Sequence, residues 1–123
     1  MYYPTKEQFI RLAKKGNLIP VYKEILADVE TPVSCFAKID HGDYSYLLES
    51  VEGAEKVARF SFIGINPSLV FKSKNSRIEI STNGKKKIYR TTTDPLYELK
   101  DLMSNYKFVH TPDLPRFCGG FVG

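Results

Sequence analysis

Arg77-Ile78-Glu79-Ile80-Ser81-Thr82-Asn83-Gly84-Lys85-Lys86-Lys87-Ile88-Tyr89-Arg90-Thr91 is the stretch on which the fold turns. Residues 77–81 and 87–91 are strand-like runs. Asn83-Gly84 between them is the dipeptide that tolerates positive φ at both central positions of a tight hairpin. A two-residue loop sets Ile80 opposite Lys87, whereas a three-residue loop with a glycine bulge sets it opposite Ile88; the local sequence leaves both registers open. Working upstream, 69–72 and 59–65 read as two more strands. Residues 44–51, rich in aromatic and branched side chains after the His41-Gly42-Asp43 turn, read as a strand buried on at least one face, and 52–56 as a polar loop.

Helical signals flank these runs. Thr5-x-x-Gln8 is a capping box followed by Phe9, Leu12 and Ala13 at helical spacing, with Gly16 at a C′ position, which predicts a helix over 6–15. Thr31-Pro32 places an N-cap before a proline at the first helical position, and Val33, Phe36 and Ala37 follow, predicting a helix from 32 to about 40. Asp94-Pro95 repeats the signature ahead of an apolar stripe of Leu96, Leu99, Leu102 and Met103, so a third helix should end near 105. Between the first two helices, 18–26 is apolar but contains Pro20, which cannot donate to a ladder, and is placed as an edge strand. The expectation is an α+β fold: a mostly antiparallel sheet flanked by about three short helices, truncated at the C-terminus.

At 123 residues the chain should form one domain at most. Its 42% apolar content fits a folded soluble class rather than a disordered or fibrous one. No run approaches the ~20 apolar residues of a membrane span and no export signal is visible, so cytoplasmic residence is expected. Cys35 and Cys118 are too few for a disulfide framework or zinc site and read as free, packing thiols. The formal charge of +4 is concentrated around Lys72, Lys74, Arg77, Lys85, Lys86, Lys87 and Arg90.

Little here can do chemistry. His41 and His110 lack close-spaced partners and read as surface residues. No phosphate loop, nucleophile elbow or dinucleotide fingerprint is present. Asp28, Glu30, Asp40 and Asp43 read as solvated loop carboxylates. The chain closes on Arg116-Phe117-Cys118-Gly119-Gly120-Phe121-Val122-Gly123, which looks like the first half of a buried strand. Native termini are usually polar and loosely held, so the expectation is a chain cut from a longer one.

Two stretches carry a family resemblance. Leu47-Leu48-Glu49-Ser50-Val51-Glu52-Gly53-Ala54-Glu55-Lys56 with Arg59-Phe60-Ser61-Phe62-Ile63-Gly64 resembles the LLES strand, Gly-Gly-Glu-Lys loop and RYSFIG motif of the N-terminal domain of anthranilate synthase component I. Leu114-Pro115-Arg116-Phe117-x-Gly119-Gly120-Phe121-Val122-Gly123 is similar to the start of that family's chorismate-binding domain. Ala54 stands where the family commonly has its second glycine, and Phe60 where it often has tyrosine.

The resemblance implies residues 1–113 as an N-terminal regulatory and scaffold domain, and 114–123 as the first strand of a chorismate-binding domain not contained here. It implies a parent carbon–oxygen lyase of tryptophan biosynthesis, converting chorismate and glutamine-derived ammonia to anthranilate and pyruvate. That parent uses Mg²⁺ and a glutamine amidotransferase subunit, with its catalytic and metal residues beyond Gly123. The feedback effector tryptophan is carried over onto Leu48, Glu49 and Ser50, with Arg59 read as either a further candidate for its carboxylate or a cap of the strand. Strand geometry sets Leu48 and Ser50 on one side and Glu49 on the other. Convergence therefore needs either a bulge or a backbone contribution, and the second is favoured, with Ser50 the surest side chain. On pattern alone, the same residues are two core leucines and the polar end of a strand.

Three other readings compete. The chorismate-using component of aminodeoxychorismate synthase shares the domain, and the product distinguishes it. A nucleic-acid module built on the basic hairpin has only Phe71 and Tyr89 to stack bases, so no nucleic acid and no membrane are expected as partners. A free-standing interaction module is disfavoured by the unpaired apolar closing segment.

Overall fold

The Asn83-Gly84 turn settles the register. Asn83 takes φ 49° and Gly84 φ 73°, both left-handed, and the pairs Thr82↔Lys85 and Ile80↔Lys87 close a two-residue loop. The computed structural model describes residues 1–40, 42–49 and 60–123. Within these the chain runs α1 (Lys6–Leu12), α2 (Pro32–Ile39), β1 (Tyr46–Glu49), β2 (Ser61–Gly64), β3 (Leu69–Lys74), β4 (Arg77–Thr82), β5 (Lys85–Arg90) and α3 (Pro95–Ser104). This is an α+β fold, with the strands in two separate antiparallel sheets, β1-β2 and β3-β4-β5, rather than one.

The chain divides into two compact units, Leu26–Thr92 and Met1–Ile25 with Thr93–Gly123. In the first of these, α2 starts as its sequence dictates. Thr31 Oγ1 accepts from the Ser34 amide at 3.1 Å and Ser34 Oγ accepts from the Thr31 amide at 2.9 Å, so two otherwise orphaned N–H groups are satisfied reciprocally. Ser34 Oγ also donates to Glu30 at 2.6 Å, and the other Glu30 oxygen pairs with Lys38 in the last turn of the helix. Helix α2 packs on β1 and β2. In the three-stranded sheet Ile78, the second residue of the central strand β4, is completely buried, and Thr91 is buried with its amide donating to Ser76 O at 2.8 Å. The β3–β4 link is a second tight turn: Lys74 pairs with Arg77, and Asn75 takes φ 53°.

In the other unit the capping box of Thr5 and Gln8 starts α1, but the helix ends at Leu12 with Ala13 as its cap, three residues short of the predicted end. Gly16 is not a left-handed C′ residue. A Cβ there would lie 2.7 Å from Val109 Cγ2 and closer still to the Lys107 carbonyl oxygen, so the missing side chain lets residues 107–109 approach. Asn17 locks that approach. Its Nδ2 donates to Asn105 O at 2.8 Å, its Oδ1 accepts from the Lys107 amide at 2.6 Å, and its own amide donates to Lys107 O at 3.1 Å.

The edge strand expected over 18–26 does not form. Isolated bridges join Leu18 to Phe108 and Tyr22 to Tyr3, and Pro20 between them has no N–H with which to continue a ladder. Helix α3 begins as predicted, with Asp94 Oδ1 accepting from the Leu96 amide at 2.8 Å. Its stripe is only partly used: Leu99 and Leu102 are half-buried, while Leu96 and Met103 face solvent. Residues 114–123 form no strand, and Gly119 and Gly120 take φ 145° and 136°, a region that interrupts a pleat and that glycine alone enters freely.

Candidate functional site

The strand that carries Leu48 and Glu49 owes its position to a glycine. Tyr46 pairs with Gly64, and a Cβ on Gly64 would run into the Tyr46 ring, within 2.8 Å of Cδ1 and nearer to Cε1 and Cζ. The ring therefore lies across the bare backbone of β2. From that anchor the register is unbroken through Leu47↔Ile63, Leu48↔Phe62 and Glu49↔Ser61, so no bulge occurs within 46–49.

Directly paired residues point to one face, and that face alternates along a strand. Leu48 accordingly shares its face with Phe62 and, two residues earlier in the chain, Phe60; the two phenylalanine rings stack at 6.1 Å between centroids. Leu48 is 44% and Phe60 47% exposed, leaving an apolar strip open to solvent. Glu49 is exposed and belongs to the opposite face, with Leu47 and Ile63. Of the four residues singled out from sequence, the structure thus sets Leu48 and Glu49 side by side in β1 with diverging side chains. Ser50 and Arg59 lie outside the described residues, as do His41 and the 52–56 loop.

Phe60, Phe62 and Gly64 are not among the site residues read from the sequence. All three lie in the stretch that carries the family resemblance, but only the register shows which of its residues face Leu48.

Elsewhere the chemistry is sparse. Cys35 is half-buried and Cys118 exposed, both free, and His110 is exposed. Among the described residues no group of three or more histidine, cysteine or carboxylate side chains could hold a metal ion. Among the described residues no helix is long and apolar enough to cross a membrane. An open groove of about 410 Å³ lies between α1 and the Tyr3–Tyr22 bridge, lined by Arg11, Lys15 and the two stacked tyrosines. Burial raises the Tyr22 hydroxyl above the ordinary tyrosine range, with Asp113 adding to the effect. Glu79 accepts a hydrogen bond from Lys86, which holds its carboxyl below the usual glutamate range, helped by the charges of Lys86, Lys72 and Arg77. The nucleic-acid reading loses its stackers: Phe71 pairs with Ile80 and Tyr89 with Ile78, so both rings share the face of the buried Ile78.

No family model matches the chain, and no solved structure matches it significantly. Curated proteins do. The chain is 44% identical to anthranilate synthase component 1 of Acetivibrio thermocellus over 124 aligned residues, covering 100% of this chain and 25% of that protein. It is 40% identical to the same component of Aquifex aeolicus, over 95% of this chain and 24% of the relative. The component from Pseudomonas aeruginosa is also 40% identical, over 97% and 24%. The chain belongs to the anthranilate synthase component 1 family. It spans about a quarter of the length of the curated relatives it matches.

Proposed function

We propose that this chain is the N-terminal regulatory and scaffold portion of an anthranilate synthase component 1 and supplies one wall of the site through which tryptophan inhibits the enzyme. The parent enzyme, a cytoplasmic lyase, would convert chorismate and glutamine-derived ammonia to anthranilate and pyruvate. A glutamine amidotransferase subunit would deliver the ammonia. By the resemblance, Mg²⁺ and the catalytic residues belong to the parent's chorismate-binding domain.

The observation that carries this reading is identity of 37% to 44% with anthranilate synthase component 1 sequences across essentially the whole chain. The geometry of β1 supports it. Tryptophan presents an ammonium, a carboxylate and an indole, so its site needs acceptors, donors and an apolar slot. Leu48 with Phe60 and Phe62 is an apolar surface of the right character, with Leu48 and Phe60 open to an incoming ring. The regular register through Glu49 favours a backbone contribution there over a bulge. Ser50 and Arg59 are assigned by resemblance, Ser50 to donate or accept and Arg59 to meet the carboxylate.

Tryptophan would act by binding one global state better than the other, with a coupling of about 1–3 kcal/mol. In the complete enzyme, Ser50→Phe should fill the slot, abolish inhibition by tryptophan and leave anthranilate formation intact. Inhibition that persists at the wild-type concentration in this variant refutes the reading, and aminodeoxychorismate as the product would move the chain to the related synthase.

A further inference from the structure

The ladder of the three-stranded sheet sorts its charges by face. One face holds three rows across β3, β4 and β5: Lys74–Arg77–Arg90, Lys72–Glu79–Ile88 and Val70–Ser81–Lys86. Five cations and one carboxylate stand there, a net +4 that equals the formal charge of the whole chain, so the remaining residues balance to zero. Like charges directly opposite one another in a ladder disfavour the sheet, and the first row is three cations straight across. Among the described residues, Glu79 is its near counter-charge, 3.6 Å from Arg77 and 3.0 Å from Lys86 and shared between them. Lysines that only guard an edge strand have no need of one face. Lys85 and Lys87 on the opposite face of β5 do that equally well.

We propose that this face docks an acidic, extended protein segment that also carries an apolar side chain. A depression of about 460 Å³ among Lys72, Lys74, Arg77 and Glu79 gives an incoming carboxylate somewhere to sit. Same-side carboxylates of an extended segment are about 7 Å apart, the spacing of Lys72 and Lys74 along β3. Ile88, 49% exposed in the middle row, supplies an apolar contact that a phosphate backbone would not use. Base stacking is poorly served: Phe71 and Tyr89 belong to the other face, and the Tyr44 ring already has Lys72 Nζ over it at 5.0 Å. The proposal is independent of the tryptophan site, which lies on the other sheet.

The test is fluorescence anisotropy with the full 123-residue chain and a labelled peptide of sequence Glu-Ser-Glu-Ser-Leu-Ser-Glu, which when extended puts its glutamates and its leucine on one side, against labelled oligo(dT) of matched length. The peptide should bind more tightly than the oligonucleotide, and its affinity should fall with salt. Lys86→Glu and Arg90→Glu should each weaken peptide binding about tenfold, whereas Lys87→Glu, the same charge change one residue along the same edge, should weaken it less than about twofold. Ile88→Ser should weaken it with the salt slope unchanged. Lys86→Ala, which introduces no new charge, guards against a variant that misfolds and should weaken binding in the same direction. Equal losses for Lys86→Glu and Lys87→Glu, tighter binding of the oligonucleotide, or no peptide binding to the wild-type chain would each overturn the proposal.

Discussion

Replacing Gly16 with alanine should cost this protein about 2 kcal/mol, although alanine is the better residue for almost any backbone. The added Cβ meets the Lys107 carbonyl oxygen and stands 2.7 Å from Val109 Cγ2. Neither can withdraw freely. The Lys107 oxygen accepts from the Asn17 and Leu18 amides at 3.1 Å each, and Val109 is buried, with its amide donating to Leu18 O at 2.9 Å. Overpacking of this kind typically costs about 1–3 kcal/mol, and stretching one backbone hydrogen bond adds about 1. Against this, alanine stiffens the unfolded chain by about 0.4–1 kcal/mol. Urea unfolding followed by tyrosine fluorescence suits the measurement, because the chain has no tryptophan. With a slope of about 1–3 kcal/mol per molar, the midpoint should fall by roughly 1 M. Gly16→Asn separates the two roles of the glycine. At a left-handed C′ position asparagine is the next-best residue, whereas here it carries the same offending Cβ and should be at least as damaging as alanine. An unchanged or raised midpoint for Gly16→Ala, or a milder effect from asparagine, would refute the packing argument.

Gly64→Ala should likewise destabilise the β1–β2 pair, by about 1–3 kcal/mol, by pushing on the Tyr46 ring. Because the obstacle is one side chain, Tyr46→Ala in the same background should recover part of the loss, and strictly additive effects in a double-mutant cycle would count against it. Thr31→Ala removes one arm of the α2 capping box and should cost about 1 kcal/mol, with faster amide exchange at Ser34 as its local signature. Glu30, through its hydrogen bonds from Lys38 and then Ser34, and Glu79, through that from Lys86, are both held below the ordinary carboxylate range. Each is more readily ionised folded than unfolded. Their stabilisation is complete above the unfolded value of about 4.3 and disappears as pH falls through the lower folded value. Stability measured across that window should fall less steeply for Glu79→Gln than for wild type, and equal steepness would exclude its part.

The features legible in the sequence were those whose physics closes within a few residues. Thr31-Pro32 and Asp94-Pro95 mark helix starts because a cap needs only the amides two or three positions ahead. Asn83-Gly84 marks its hairpin because both residues accept positive φ, although the choice between two registers waited for the pairing itself. The family was legible for a similar reason, since its motif is a run of adjacent residues, 47–64.

What the tertiary structure decided involves partners far along the chain. Gly16 looks like a helix terminator until Lys107 is brought against it. Asn17 has no local role, yet it ties residues 105 and 107 in place. Residues 18–26 have the composition of a strand but find bridges at only two points, on either side of a proline that cannot donate. At the candidate site, strand alternation could place Leu48 and Glu49 on opposite faces, but the apolar strip of Phe60 and Phe62 beside Leu48 depends on which residue of β2 lies opposite. The same holds for the charged sheet, whose lysines are plain in the sequence and whose sorting onto one face exists only in the ladder. Caps and turns are satisfied by neighbours in the chain, whereas close approach, register and facing are set by segments that meet only when the protein folds.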